Sequence, residues 1–142
     1  MQGDDFNFVG DIYIRKDLKK IKKFVSLGED IKNKLKIIHD DVLDSHVGSV
    51  SSFPYSDFIA KSIYKGEEVC FYKTRVPIKS AGLSARKGCR LLFGFVKSGL
   101  AFVPILVFRV DQEGKSYNIN RKKFPLTSSG FSSIIREKLL SY

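Results

Sequence analysis

The chain has 142 residues, 43% of them hydrophobic and 13% aromatic, which is enough to bury a core without disulfides or metals and too apolar for wholesale disorder. Its 25 Lys and Arg against 15 Asp and Glu leave a formal charge of +10, which points to a polyanion: nucleic acid, an anionic membrane surface or an acidic protein. A basic surface kept for solubility is the competing reading.

Cys70 and Cys89 have no second Cys or His at metal spacing and read as a reduced cytosolic pair. The start "MQGDDFNFVGD" lacks a secretory pattern. The longest apolar run, "GLAFVPILVF", is broken by Pro104 and too short to span a bilayer. The expectation is one cytoplasmic domain over residues 1–142, with no membrane contact, no metal and no cofactor.

In chain order, "FNFVGDIYI" predicts a first strand within 6–14. Leu18, Ile21 and Val25 recur at helical spacing with lysines opposite, predicting a short amphipathic helix. Ser26 and Glu29 have the capping-box form, with Gly28 at the bend, before a second stripe of Ile31, Leu35, Ile38 and Val42. So short a connection predicts an antiparallel helical hairpin with solvated lysine faces. His39 and His46, near its end, read as surface or capping residues.

A Ser-rich loop is expected over about 44–58. "EVCFYKTRV" alternates as a strand, and "CRLLFGFV" and "AFVPILVFRV" read as strands buried on both faces, joined by a tight "KSGL" turn. Pro104 places a bulge or an edge in the last of them. "DQEGKS" is a turn, "YNINRKKF" a short strand or extended arm, and residues 128–142 a C-terminal helical tail carrying Ile134, Ile135, Lys138 and Leu139. The fold class is α+β: an N-terminal strand, an α-hairpin, a curled antiparallel sheet of three to four further strands with helices on one face, and a C-terminal helix.

From residue 71 to residue 110 there is no acidic residue, while Lys73, Arg75, Lys79, Arg86, Lys87, Arg90, Lys97 and Arg109 are cationic. Lys73 and Arg75 share one strand face. With helices covering the other face, the cations are expected together on the open face or its rim. Mutual repulsion implies an anion supplied from outside, and Arg forks and Lys point charges match phosphate. Gly82 and Gly88, with Ser80 and Ser84, would let the loop backbone approach such a ligand. No Walker-type motif is present, so a nucleoside triphosphate site is not indicated.

The segments "IYIRKDLKKIKKFVSLGEDIKNKLKII", "VCFYKTRVPIKSAGLSARKGCRLLFGFV" and "AFVPILVFRV" resemble the RelE/ParE-like toxins of bacterial toxin–antitoxin modules, over roughly residues 10 to 120. The resemblance implies a RelE-like domain and an mRNA endoribonuclease that works in the ribosomal A site, promoting attack of a ribose 2′-hydroxyl on the adjacent phosphate. RNA brings its own nucleophile to such a reaction, and Lys and Arg stabilise the phosphorane.

Carried onto this chain, the resemblance makes Arg90 the holder of the scissile phosphate and Arg109 a neutraliser of developing charge. Lys79, Arg86 and Lys87 become the loop that grips the message, with one lysine as acid or base, and Tyr117 a proton-transfer or stacking group. Lys73, Arg75, Lys97 and Lys115 add RNA contacts. The chain departs from the family pattern in having Phe93 where many members have Tyr, and in lacking a His in the C-terminal half. The implied partners are mRNA, the ribosome and a cognate acidic antitoxin. Two other readings stand beside this one: a ParE-like inhibitor of DNA gyrase, and a non-catalytic basic module binding nucleic acid or protein.

Overall fold

The computed structural model describes residues 7–45, 56–96, 98 and 101–141. In chain order they form β1 (Asn7–Phe8), α1 (Arg15–Lys20), α2 (Leu27–Ser45), β2 (Ser56–Tyr64), β3 (Glu67–Val76), β4 (Cys89–Val96), β5 (Ala101–Arg109), β6 (Ser116–Ile119), β7 (Lys122–Pro125) and α3 (Ser128–Ser141). Five strands make one sheet in the order β1-β5-β4-β3-β2, antiparallel except for β1, which runs parallel to β5. β6 and β7 form a separate two-stranded ribbon. No helix among the described residues is long and apolar enough to cross a membrane.

The α+β class and the C-terminal helix agree with the sequence reading, but the layering does not. Ile14, Ile21, Leu27, Ile31, Leu35 and Ile38 pack on one sheet face against Tyr72, Val76, Leu91, Phe93 and Phe102. On the opposite face Phe131, Ile134 and Ile135 of α3 pack against Val69, Phe71, Leu92, Val103 and Phe108. Helices therefore cover both faces, which is why β4 and β5 are apolar almost throughout.

α1 stops at Lys20 rather than continuing to Val25. Two successive turns, Phe24 N–H to Ile21 O and Leu27 N–H to Phe24 O, carry the chain into α2. Val25 is left 83% exposed, and Phe24 packs against the core instead. α1 lies on β5 and α2 on β3, so the sheet is the main support of each helix. His39 is buried in α2 with its ring edge toward Phe102, not on the surface.

Of the residues expected in the Ser-rich loop over 44–58, Asp44 and Ser45 belong to α2 and residues 56–58 to β2; residues 46–55 lie outside the described set. A bulge between Phe58 and Ala60 breaks the period-two pattern that would have marked β2. The "KSGL" turn falls outside the described residues except for Ser98. "YNINRKKF" is a hairpin whose two turn residues, Asn120 and Arg121, both have positive φ; without the glycine such turns favour, it does not announce itself.

Pro104 carries both predicted features. Leu92 pairs with Leu106 but Phe93 pairs with Pro104, leaving Ile105 as the extra residue of a bulge. β1 pairs only with Ala101 and Phe102 of β5, so among the described residues Pro104 lies on an edge without a strand partner, where a missing N–H leaves nothing unpaired.

Candidate nucleic-acid interface

Antiparallel register brings Val76, Cys89 and Arg109 to one end of the sheet, and the basic loop 77–88 spans that end. Ile78 bridges Leu83, and a tight turn at Lys79–Ala81 closes through Gly82 at φ +64°. The loop docks on the start of α2: Ser80 N–H donates to Ser26 Oγ (2.9 Å), Ser26 N–H to Ser80 Oγ (3.2 Å) and Lys79 N–H to Asp30 Oδ2 (3.1 Å). Ser26 Oγ also donates to Asp30 Oδ2 (2.6 Å), and the acceptor for the Ser26 N–H is Ser80, whereas the sequence suggested Glu29.

A Cβ on Gly88 would stand 2.0 Å from the Val76 carbonyl oxygen, a backbone atom of the paired strand. Gly88→Ala must force β3 and β4 apart at the root of the loop. It is expected to cost about 3 kcal/mol in urea unfolding.

Arg90 is 5% exposed and pairs directly across from Arg75. Its Nε donates to Glu113 Oε1 (2.7 Å), Nη1 to the Ala85 carbonyl (3.2 Å) and Nη2 to the Arg86 carbonyl (3.0 Å). All three guanidinium nitrogens are engaged, and Glu113 offsets the repulsion from Arg75. Around this group lies a cleft of ≈ 610 Å³ in which Lys34, Lys73, Arg75, Arg86 and Arg90 face only Asp57 and Glu113. Partial burial lowers the Lys34 pKa from its ordinary value, against the opposing pull of Asp41.

Arg109 faces the other side. The expectation that the cations share one face fails here for a reason of register: Arg90 pairs with Phe108, in the α3 layer, while Arg109 pairs with Cys89, in the α1/α2 layer. Arg109 donates from Nη2 to Asp111 (3.0 Å) and meets Lys23 and Lys87 in a shallow cleft of ≈ 260 Å³. Between the two groups, Cys89 is no nucleophile: burial pushes its pKa up to about 11, although Arg109 and Arg90 pull it down.

Arg109 also lines a chamber of ≈ 320 Å³ together with Lys20, Gln112, Ser116, Tyr117 and Asn118. Its floor is the buried carboxylate of Asp17, which accepts from the Tyr117 hydroxyl, from the Lys138 ammonium (2.7 Å) and from the Val107 N–H (3.3 Å). Lys138 also donates to the Tyr13 carbonyl (2.7 Å). The Lys20 ammonium sits 5.1 Å over the Tyr117 ring.

Of the sequence candidates, Lys73, Arg75, Arg86 and Arg90 share one cleft, and Arg109 adjoins both Lys87 and Tyr117. Lys73 places its ammonium 5.7 Å over the Phe131 ring. Lys79 is exposed on the loop turn, and Lys115 is exposed ahead of β6, away from either group's lining. Lys97 lies outside the described residues. Asp17, Lys20, Lys34, Glu113 and Lys138 were missed. The one available signal was Asp17 itself, a carboxylate on the apolar side of a lysine-rich helix. Comparison with protein-family models, curated proteins and solved structures finds no match to this chain.

Proposed function

We propose that this protein is a cytoplasmic endoribonuclease of the RelE type that cuts messenger RNA and is silenced by an acidic antitoxin protein. The observation that carries the reading is charge without compensation. Among the described residues no carboxylate lies within ion-pair distance of Arg75, Lys79, Arg86 or Lys87, and all four ring one end of the sheet. Such a ring destabilises the free protein and favours a polyanion.

In the proposed reaction the ribose 2′-oxygen attacks the adjacent phosphorus and gives up its proton to a base. The P–O5′ bond then breaks, the 5′-oxygen takes a proton, and a 2′,3′-cyclic phosphate remains. The five-coordinate intermediate is more negative than the diester, so Lys87 and Arg109 stabilise it preferentially. Lys79, Lys87 and Tyr117 are the candidate proton-transfer groups.

The test is to incubate purified protein with synthetic RNA, with and without ribosomes, and to map the ends produced. Cyclic-phosphate ends are expected, falling roughly 100-fold in an Arg75→Ala/Arg86→Ala/Lys87→Ala variant that keeps its circular dichroism spectrum. The same variant should flatten the dependence of log affinity on log salt by roughly 2, at about 0.7 per single-strand phosphate contact. Intact RNA with inhibited gyrase supercoiling would replace this reading with gyrase inhibition. Salt-sensitive binding without turnover would replace it with a non-catalytic module.

A further inference from the structure

The chamber above Asp17 combines features that the cationic loop does not. Its walls are mainly polar, with Ile21, Val107, Phe108 and Leu126 adding some apolar surface. Gln112, Asn118 and Ser116 also line it, and their side-chain amides and hydroxyl make no hydrogen bond to a described residue. Two amides offer paired donors and acceptors, the complement of a polar-edged ring. Lys20 and Arg109 line the same chamber, and among the described residues Arg109 commits only Nη2, to Asp111. The charge of Asp17 is already balanced by Lys138, so the floor does not repel an anion.

A flat ring with hydrogen-bonding edges, attached to a negative group, is the chemistry this combination fits. We infer that the chamber between α1, β5 and β6 holds one unstacked nucleotide of RNA, its base facing Gln112 and Asn118 and its phosphate at Lys20 and Arg109. Single-stranded RNA is commonly read in this way, by splayed bases rather than by backbone charge alone. The inference rests on the RNA reading above and adds a seat for a particular nucleotide, the feature that would give cleavage a base preference.

The experiment titrates the full chain with each of the four nucleoside 5′-monophosphates, with ribose 5-phosphate and with inorganic phosphate, followed by calorimetry or amide NMR shifts. At least one mononucleotide is expected to bind saturably and ten-fold or more tighter than ribose 5-phosphate. Gln112→Ala and Asn118→Ala, both on the rim rather than in the core, should each erase most of that ten-fold advantage while leaving inorganic phosphate binding unchanged. Ribose 5-phosphate binding as tightly as every mononucleotide, or no mononucleotide binding at all, overturns the inference. RNA cleavage assayed alongside separates the two readings. Cleavage without mononucleotide binding removes the chamber and spares the nuclease, whereas binding without cleavage does the reverse.

Discussion

Asp17→Ala is expected to lower stability by about 3–5 kcal/mol. Asp17 is 1% exposed and joins four elements: it lies on α1 and accepts from Val107 on β5, Tyr117 on β6 and Lys138 on α3. The Val107 bond has a specific origin. Among the described residues β1 covers only the first residues of β5 and no strand pairs with the rest of that edge, where the carboxylate takes the Val107 N–H. Among the described residues its removal leaves Lys138, 3% exposed, with the Tyr13 carbonyl as its one hydrogen-bond acceptor beside the Tyr117 ring. Urea unfolding at neutral pH measures the loss, and an Asp17→Leu/Lys138→Met double variant should recover most of it, because the cost lies in the stranded charge.

The pH profile gives the same substitution a second signature. Burial lowers the Lys138 pKa below the ordinary 10.5, while Asp17 pulls it back up by charge and hydrogen bonding. Between the folded and unfolded pKa values the unfolded chain binds more protons, so stability rises with pH across that window. Without Asp17 the folded pKa falls further and the window extends toward neutrality. Asp17→Ala should therefore gain stability from pH 7 upward more steeply than the wild type, measured as unfolding midpoint against pH. Parallel profiles would show that Lys138 does not feel the carboxylate.

The same residues mark how far the fold could be read from the chain. Strands β3, β4 and β5 are legible because their apolar or alternating patterns are long and interrupted only by turn residues. α2 is legible from Ile31, Leu35 and Ile38. Layer assignment is not legible, because an apolar stripe such as Phe131, Ile134 and Ile135 states that α3 is buried but not on which face. Nor is the grouping of cations: the extra residue at Ile105 reverses the alternation in β5 and sends Arg109 to the side opposite Arg90. Asp17 and Lys138 stand 121 positions apart, and only the fold brings them together.

Arg90→Lys is the second decisive substitution, because it separates two roles that Arg90→Ala would confuse. An arginine that grips a phosphate can be replaced by lysine with part of the charge interaction kept. An arginine that holds a loop by three nitrogens at fixed angles cannot, since a single ammonium does not reach Glu113, Ala85 O and Arg86 O together. The geometry favours the second role: Arg90 holds the backbone on either side of Arg86, and under the proposed function it would act on RNA through that backbone. Arg90→Lys is therefore expected to cost about 2 kcal/mol in urea unfolding and to weaken RNA binding with it.

Glu113→Gln should move the two readouts in opposite directions. It lowers stability by about 1–2 kcal/mol, because Arg90, directly across from Arg75, loses its carboxylate partner. Under the proposed function it should raise RNA affinity at low salt, because the five cations of the cleft then face Asp57 alone. If Arg90→Lys instead keeps full stability and loses only cleavage, Arg90 meets the phosphate itself and the loop is held by other means.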